Sequence, residues 1–109
     1  MLSKQYNARD FDDGSMYDAL LYQAPEVFKD GAELKSDVWS LGISLIEMGE
    51  GKNPYAGRSR MMIMKEVLTQ PPPSLSPSKW SSEFVDFVNR CLVKEVEGRG
   101  SVDELMGVR

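Results

Sequence analysis

The stretch Ser36-Asp37-Val38-Trp39-Ser40-Leu41-Gly42-Ile43-Ser44-Leu45-Ile46-Glu47-Met48 decides how the rest of the chain is read. Val38, Leu41, Leu45 and Met48 recur at three- and four-residue steps, which predicts a helix with these side chains on one stripe. Trp39, Ile43 and Ile46 are apolar too and lie on its other sides. A helix that is apolar nearly all round demands protein on every side. Asp37 suits the amino end, where a carboxylate meets the helix dipole and unpaired amides. Ser36 is the expected N-cap. Ser40, Gly42 and Ser44 are small enough to let neighbours approach closely. Gly49 and Gly51 are expected to stop the helix at about Glu50. The remaining segments should therefore pack around one buried rod.

Outward from this rod, Ala24-Pro25-Glu26-Val27-Phe28 predicts a short helical start, with proline at the first position and an acid in the first turn. Residues 1–18 are polar and rich in aspartate, which predicts a flexible loop. Ser59 to Leu68 reads as a methionine-rich, partly exposed helix, with Met61, Met62 and Met64 expected to pack on the central rod or the segment before the prolines, ahead of docking a partner. Pro71-Pro72-Pro73 and Pro77 force an extended connector; a stiff crossover is the expected role, ahead of a docking ligand for an SH3-type module. Phe84, Phe87, Val88, Cys91 and Leu92 fall at i, i+3, i+4, i+7 and i+8, an amphipathic helix capped by Ser81. Ser101-Val102-Asp103-Glu104 has the form of a capping box that opens a last short helix, with Val102, Leu105 and Met106 inward. No alternating strand pattern occurs, so the fold class is all-α.

Bulk properties narrow the function more by exclusion. The chain has 109 residues, enough for one small domain, and a net charge of -4. There is no basic cluster of the kind that follows nucleic acid. No apolar run approaches the ~20 residues of a membrane span, and Met1-Leu2-Ser3-Lys4-Gln5 is unlike a signal peptide. Cys91 is the one cysteine, so no internal disulfide forms, and a reducing, cytoplasmic setting is expected. Cys91 lies on an apolar stripe and is read as core, not as a nucleophile. With one cysteine and no histidine, zinc has no ligand set. Asp10-Phe11-Asp12-Asp13-Gly14 echoes a calcium loop, but Leu21 stands where the twelfth-position carboxylate belongs, so calcium is not expected. No phosphate-loop, dinucleotide-loop or nucleophile-elbow motif is present.

At Ala24-Pro25-Glu26 the chain resembles a protein kinase, whose activation segment closes on A-P-E. Asp37-Val38-Trp39-Ser40-Leu41-Gly42 follows at kinase-like spacing and resembles the start of helix αF. Pro54-Tyr55, the triple proline, Phe87-Val88-Asn89-Arg90-Cys91-Leu92 and Arg99 then come in family order. The run from Gly42 to Tyr55, with Cys91-Leu92-Val93-Lys94, is similar to the sterile-twenty group of serine/threonine kinases, nearest the Hippo/MST branch. The resemblance covers the chain from about Ser15 onward.

The resemblance implies a partial kinase domain over residues 19–109: an incomplete, helical carboxy-terminal lobe running from the late activation segment through helices αF to αI. It implies that Glu26 and Arg99 form a structural latch, and that Asp37 and Trp39 belong to the scaffold, Asp37 holding catalytic-loop backbone. Ala19, Leu20, Leu21 and Tyr22 fall on the P+1 segment that faces substrate. The family's threonine there is replaced by Ala19. Ser15 falls where this group carries an activating phosphosite, though a plain loop serine is the reading favoured here. A complete parent domain would use ATP and magnesium. This chain holds no glycine loop, strand lysine, His-Arg-Asp or Asp-Phe-Gly, so no catalytic, cofactor-binding or metal-binding residue is expected in it. Asp10-Phe11-Asp12 resembles the last motif but lacks its glycine. The expected partner is a protein, or the missing amino-terminal part of the kinase domain, with neither nucleic acid nor membrane. The runner-up reading is a non-catalytic helical protein-binding module or pseudokinase remnant.

Overall fold

Fifteen residues, Ser36–Glu50, form the helix that the sequence places at the centre. It is α2 of a computed structural model that describes residues 15–107, with only the backbone described for Ser15 and Met16. Around it stand α1 (Ser15–Leu20), α3 (Arg60–Thr69), α4 (Ser82–Cys91) and α5 (Val102–Leu105), with 3-10 turns at Pro25–Phe28 and Val96–Gly98. No strand occurs among the described residues, and the fold is all-α as expected.

The face α2 turns inward differs from the expected stripe. Trp39, Gly42, Ile43 and Ile46 are buried together with Val38. Leu41 is 43% exposed and Met48 80% exposed. Full burial on all sides is therefore not observed. The cause is at Gly42, where a Cβ would lie 2.8 Å from both Cys91 Cβ and Leu92 Cγ. The missing side chain lets α4 lie directly on the α2 backbone, and that approach fixes the rotation of the rod about its axis. Gly42→Ala should raise helix propensity by ~1 kcal/mol, yet overpacking costs about 1–3 kcal/mol. Net destabilisation, read as a lower urea midpoint, is the expected outcome.

The two ends of α2 also correct and support the sequence reading. Lys35, not Ser36, occupies the N-cap position. The Ser36 hydroxyl accepts the Glu33 N–H at 2.9 Å and donates to Glu26 Oε2 at 2.7 Å, so it serves other partners. At the far end Gly51 adopts φ 88° and returns its N–H to the Glu47 carbonyl, a left-handed stop that a side chain would strain.

Not every other element packs on this rod as expected: α4 lies along it, whereas α3 packs chiefly against α1 and the Pro25–Phe28 turn. Ser81 accepts the Phe84 N–H and opens α4, which buries Val88, Cys91 and Leu92. Burial pushes the Cys91 thiol up to about 11, consistent with a core residue. Ser59 caps α3, which turns Ile63 and Val67 inward. Met61, Met62 and Met64 face out, contrary to the packing expected of them, because Ile63 and Val67 already fill the side towards the core. The proline connector forms neither helix nor strand, and Glu50 Oε2 accepts the Ser76 N–H at 3.1 Å, pinning the crossover to the end of α2. The Ser101–Glu104 capping box is present, but Val102 and Met106 are exposed and only Leu105 packs. A helix of one turn presents few side chains to one side.

The loop expected over residues 1–18 gives way to helix at Ser15. That helix has an anchor the sequence does not advertise: the Tyr17 hydroxyl donates to the Arg58 carbonyl at 2.8 Å. The Asp10–Gly14 run lies outside the described residues. No helix among the described residues is long and apolar enough to cross a membrane.

Candidate functional site

Glu26 sits in the 3-10 turn that Pro25 starts, and Arg99 lies 73 positions later, just past the Val96–Gly98 turn. Both are buried. The guanidinium donates to Glu26 Oε2 from Nη1 at 2.8 Å and to Oε1 from Nη2 at 2.9 Å, a two-point fork. Its other donors reach the carbonyls of Lys35 at 2.9 Å, Lys94 at 3.2 Å and Val93 at 2.8 Å. All five N–H groups of the arginine are thus satisfied. The Arg99 Cζ lies 5.4 Å from the Trp39 ring centroid, so the cation also rests on an aromatic face of α2. The carboxylate gains a third donor from Ser36.

Burial by itself would raise the Glu26 carboxyl. The hydrogen bonds from Arg99 and Ser36 outweigh it and hold the group at about 2, against an ordinary 4.5. The sign of the linkage follows. A carboxyl depressed in the folded state contributes stability above the unfolded value, and that stability is lost as pH falls through the folded value. Stability should therefore fall between about pH 4.5 and 2. Glu26→Gln should flatten that part of a urea-midpoint-against-pH curve.

A second cluster fixes the segment on the amino side of Ala24. The Tyr22 hydroxyl donates to Glu47 Oε1 of α2. The Ser40 hydroxyl donates to the Tyr22 carbonyl at 2.7 Å, and Asn53 Nδ2 reaches the Leu21 carbonyl at 3.5 Å. The hydrogen bond to Glu47 raises the Tyr22 phenol above its ordinary range, and burial adds to the effect. Leu21 and Tyr22 are half-buried, while Ala19 and Asp18 face solvent. The segment Ala19 to Tyr22 is therefore a surface strip pinned from beneath. Sequence reasoning missed Ser40, Glu47 and Asn53 as its anchors. The available signal was Glu47, an acid late in an otherwise apolar helix, which requires a polar partner.

The structure brings Glu26, Arg99, Trp39 and Ser36 into one cluster and leaves Asp37 out of it. Asp37 is exposed on the first turn of α2 and makes no ion pair with the described residues. Ser15 begins α1, and its side chain is not described. The paired charges of the latch are fully engaged, so the cluster joins two distant segments and offers no free group for proton transfer.

The site is thus a buried A-P-E glutamate held by a distant arginine over a tryptophan of the central helix. Residues 2–108 match the family model for the protein kinase domain. The chain belongs to the protein kinase family. It is 45% identical over 87 residues to the serine/threonine-protein kinase hippo of Drosophila melanogaster, covering 78% of this chain and 13% of that protein. It is 46% identical over 80 residues to the serine/threonine-protein kinase cst-1 of Caenorhabditis elegans, covering 72% of this chain and 16% of that one. The chain thus spans only a small part of the relatives it matches. It corresponds to the carboxy-terminal lobe of a sterile-twenty-group kinase domain.

Proposed function

We propose that this chain supplies the substrate side of a serine/threonine kinase domain whose complete form moves the ATP γ-phosphoryl group to protein hydroxyls. Phosphoryl transfer is mostly positioning and charge stabilisation. The latch is the observation that carries the reading, because it ties the A-P-E turn to the end of the lobe as a kinase requires. The pinned strip from Ala19 to Tyr22 would form the floor on which a substrate lies. In a complete domain, the exposed edge of α2 at Asp37, Leu41 and Met48 would be covered by the amino-terminal part. The lone buried Cys91 suits a reducing, cytoplasmic setting.

The residues of this chain do not fit ATP or magnesium. Neither a glycine loop nor the catalytic and magnesium-binding motifs occur in its sequence. Among the described residues no group of three or more acidic, cysteine or histidine side chains could hold a metal. By itself the chain is therefore proposed to be inactive. Calorimetric titration of the full chain with magnesium-ATP should show no binding; a saturable, magnesium-dependent signal overturns this. The kinase reading has its own test. Grafted in place of the matching segment of the hippo kinase domain, residues 15–107 should support phosphorylation of serine and threonine peptides. A folded graft that stays inactive, even with Ala19→Thr, counts against it.

A second reading, a non-catalytic protein-binding module, is favoured by one observation: Met61, Met62 and Met64 are all exposed on α3.

A further inference from the structure

Helix α3 is apolar on more than the side it turns inward. Ile63 and Val67 fill the inner side. On the outer side Met61 is 73% exposed, Met64 is exposed and Leu68 is half-buried, whereas the exposed Met62 lies on a different side of the helix. Met61, Met64 and Leu68 fall at i, i+3 and i+7, one continuous stripe along the helix. A helix with an uncovered apolar stripe is short of a partner. Isolated exposed apolar residues are common, whereas adjoining ones mark interaction surfaces.

The charges around the stripe say what kind of partner fits. The acid on α3, Glu66, is held by Arg58 at 2.9 Å, and Arg58 is further tied to the Pro54 carbonyl. Arg60 and Lys65 are exposed on the same helix and have no ion-pair partner among the described residues. Among the described residues the stripe is therefore flanked by two cations without an ion-pair partner, in a chain whose net charge is -4. A cleft of about 360 Å³, lined by Met62, Lys65, Glu66, Thr69 and Gln70, adjoins it. This local reversal of sign selects against basic segments and for acidic ones. Methionine's flexible, polarizable side chain adapts to varied apolar shapes.

We propose that the outer face of α3 docks an acidic amphipathic helix of a partner protein, its apolar side on Met61, Met64 and Leu68 and its carboxylates facing Arg60 and Lys65. The surface does not depend on phosphoryl transfer, so it holds whichever reading of the chain's function is right.

The probe is a labelled amphipathic peptide of about 18 residues, long enough to form helix when bound, with leucine at helical spacing and glutamate elsewhere. A control peptide carries lysine in place of every glutamate. Binding to the full chain is followed by fluorescence anisotropy and by the carbon-13 methyl signals of methionine. The acidic peptide should bind at least tenfold more tightly than the basic one, and more weakly as salt is raised. The Met61 and Met64 methyl signals should move. Met48 and Met106, exposed elsewhere, are internal references and should stay. Met61→Ser with Met64→Ser should weaken binding at least tenfold, and Arg60→Glu with Lys65→Glu should reverse the charge preference. Equal or tighter binding of the basic peptide overturns the proposal, as does the absence of binding. Shifts at Met48 and Met106 of equal size mean general apolar adhesion and also overturn it. Concentration-dependent shifts at Met61 and Met64 without peptide assign the face to a second copy of the chain instead.

Discussion

Arg99→Met is expected to remove about 3–5 kcal/mol of stability, because it leaves the Glu26 carboxylate buried with no counter-charge. Glu26 would keep only the Ser36 hydroxyl as a side-chain donor. The carbonyls of Lys35, Val93 and Lys94 would also lose the donor that now reaches them. Total stabilities of small domains are about 5–15 kcal/mol, and this chain leaves part of α2 uncovered. Loss of cooperative folding at neutral pH is therefore the expected result, seen as a collapse of the far-ultraviolet helical signal. Trimethylamine oxide, which favours the compact state, should restore enough folded protein to measure the difference by urea titration. Glu26→Met combined with Arg99→Met should cost less than the two single changes summed, since no orphan charge remains. An Arg99→Met variant within about 0.5 kcal/mol of the parent, the range of a neutral surface change, would show that the latch carries no stability.

Trp39→Ala should be nearly as severe, at about 3–5 kcal/mol. The indole is fully buried on α2 and lies beneath the Arg99 guanidinium. Ile43→Ala, one turn along the same face, should cost about 2–5 kcal/mol. Leu41→Gln and Met48→Gln should each fall within about 0.5 kcal/mol, as surface changes do. The contrast tests the rotation of α2 directly. The stripe read from the sequence, Val38, Leu41, Leu45 and Met48, gives the opposite order for Leu41 and Met48. Both sets can be ranked in one series of urea midpoints with the oxide present. In a complete kinase domain Leu41→Gln and Met48→Gln should become costly, because the proposed amino-terminal part would then cover that edge.

Much of the helical framework was legible because its signals are local. The run from Ser36 to Glu50 is apolar at helical spacing and ends in glycines, and α2 has those bounds. Ser59, Ser81 and the Ser101–Glu104 box cap helices through side chains that bond amides three positions on. Such contacts need no knowledge of the rest of the fold. Ser36 was misread because its hydroxyl is claimed by Glu26, ten positions away. The helix at Ser15–Leu20 was missed because one of its anchors is the Arg58 carbonyl, 41 positions away.

The same division holds for the site. By itself, the sequence determined that one long apolar helix dominates the chain, that the class is all-α, and, through motif order, that Glu26 and Arg99 belong together. Only the tertiary structure decided which face of α2 is buried, since a period of apolar residues around the whole helix names no side. That choice was made by Gly42, whose missing Cβ admits Cys91 and Leu92. Tertiary structure likewise decided that the methionines of α3 face outward and that Glu47 holds Tyr22. Local periodicity sets which residues share a helix; contact between distant segments sets which of them meet water.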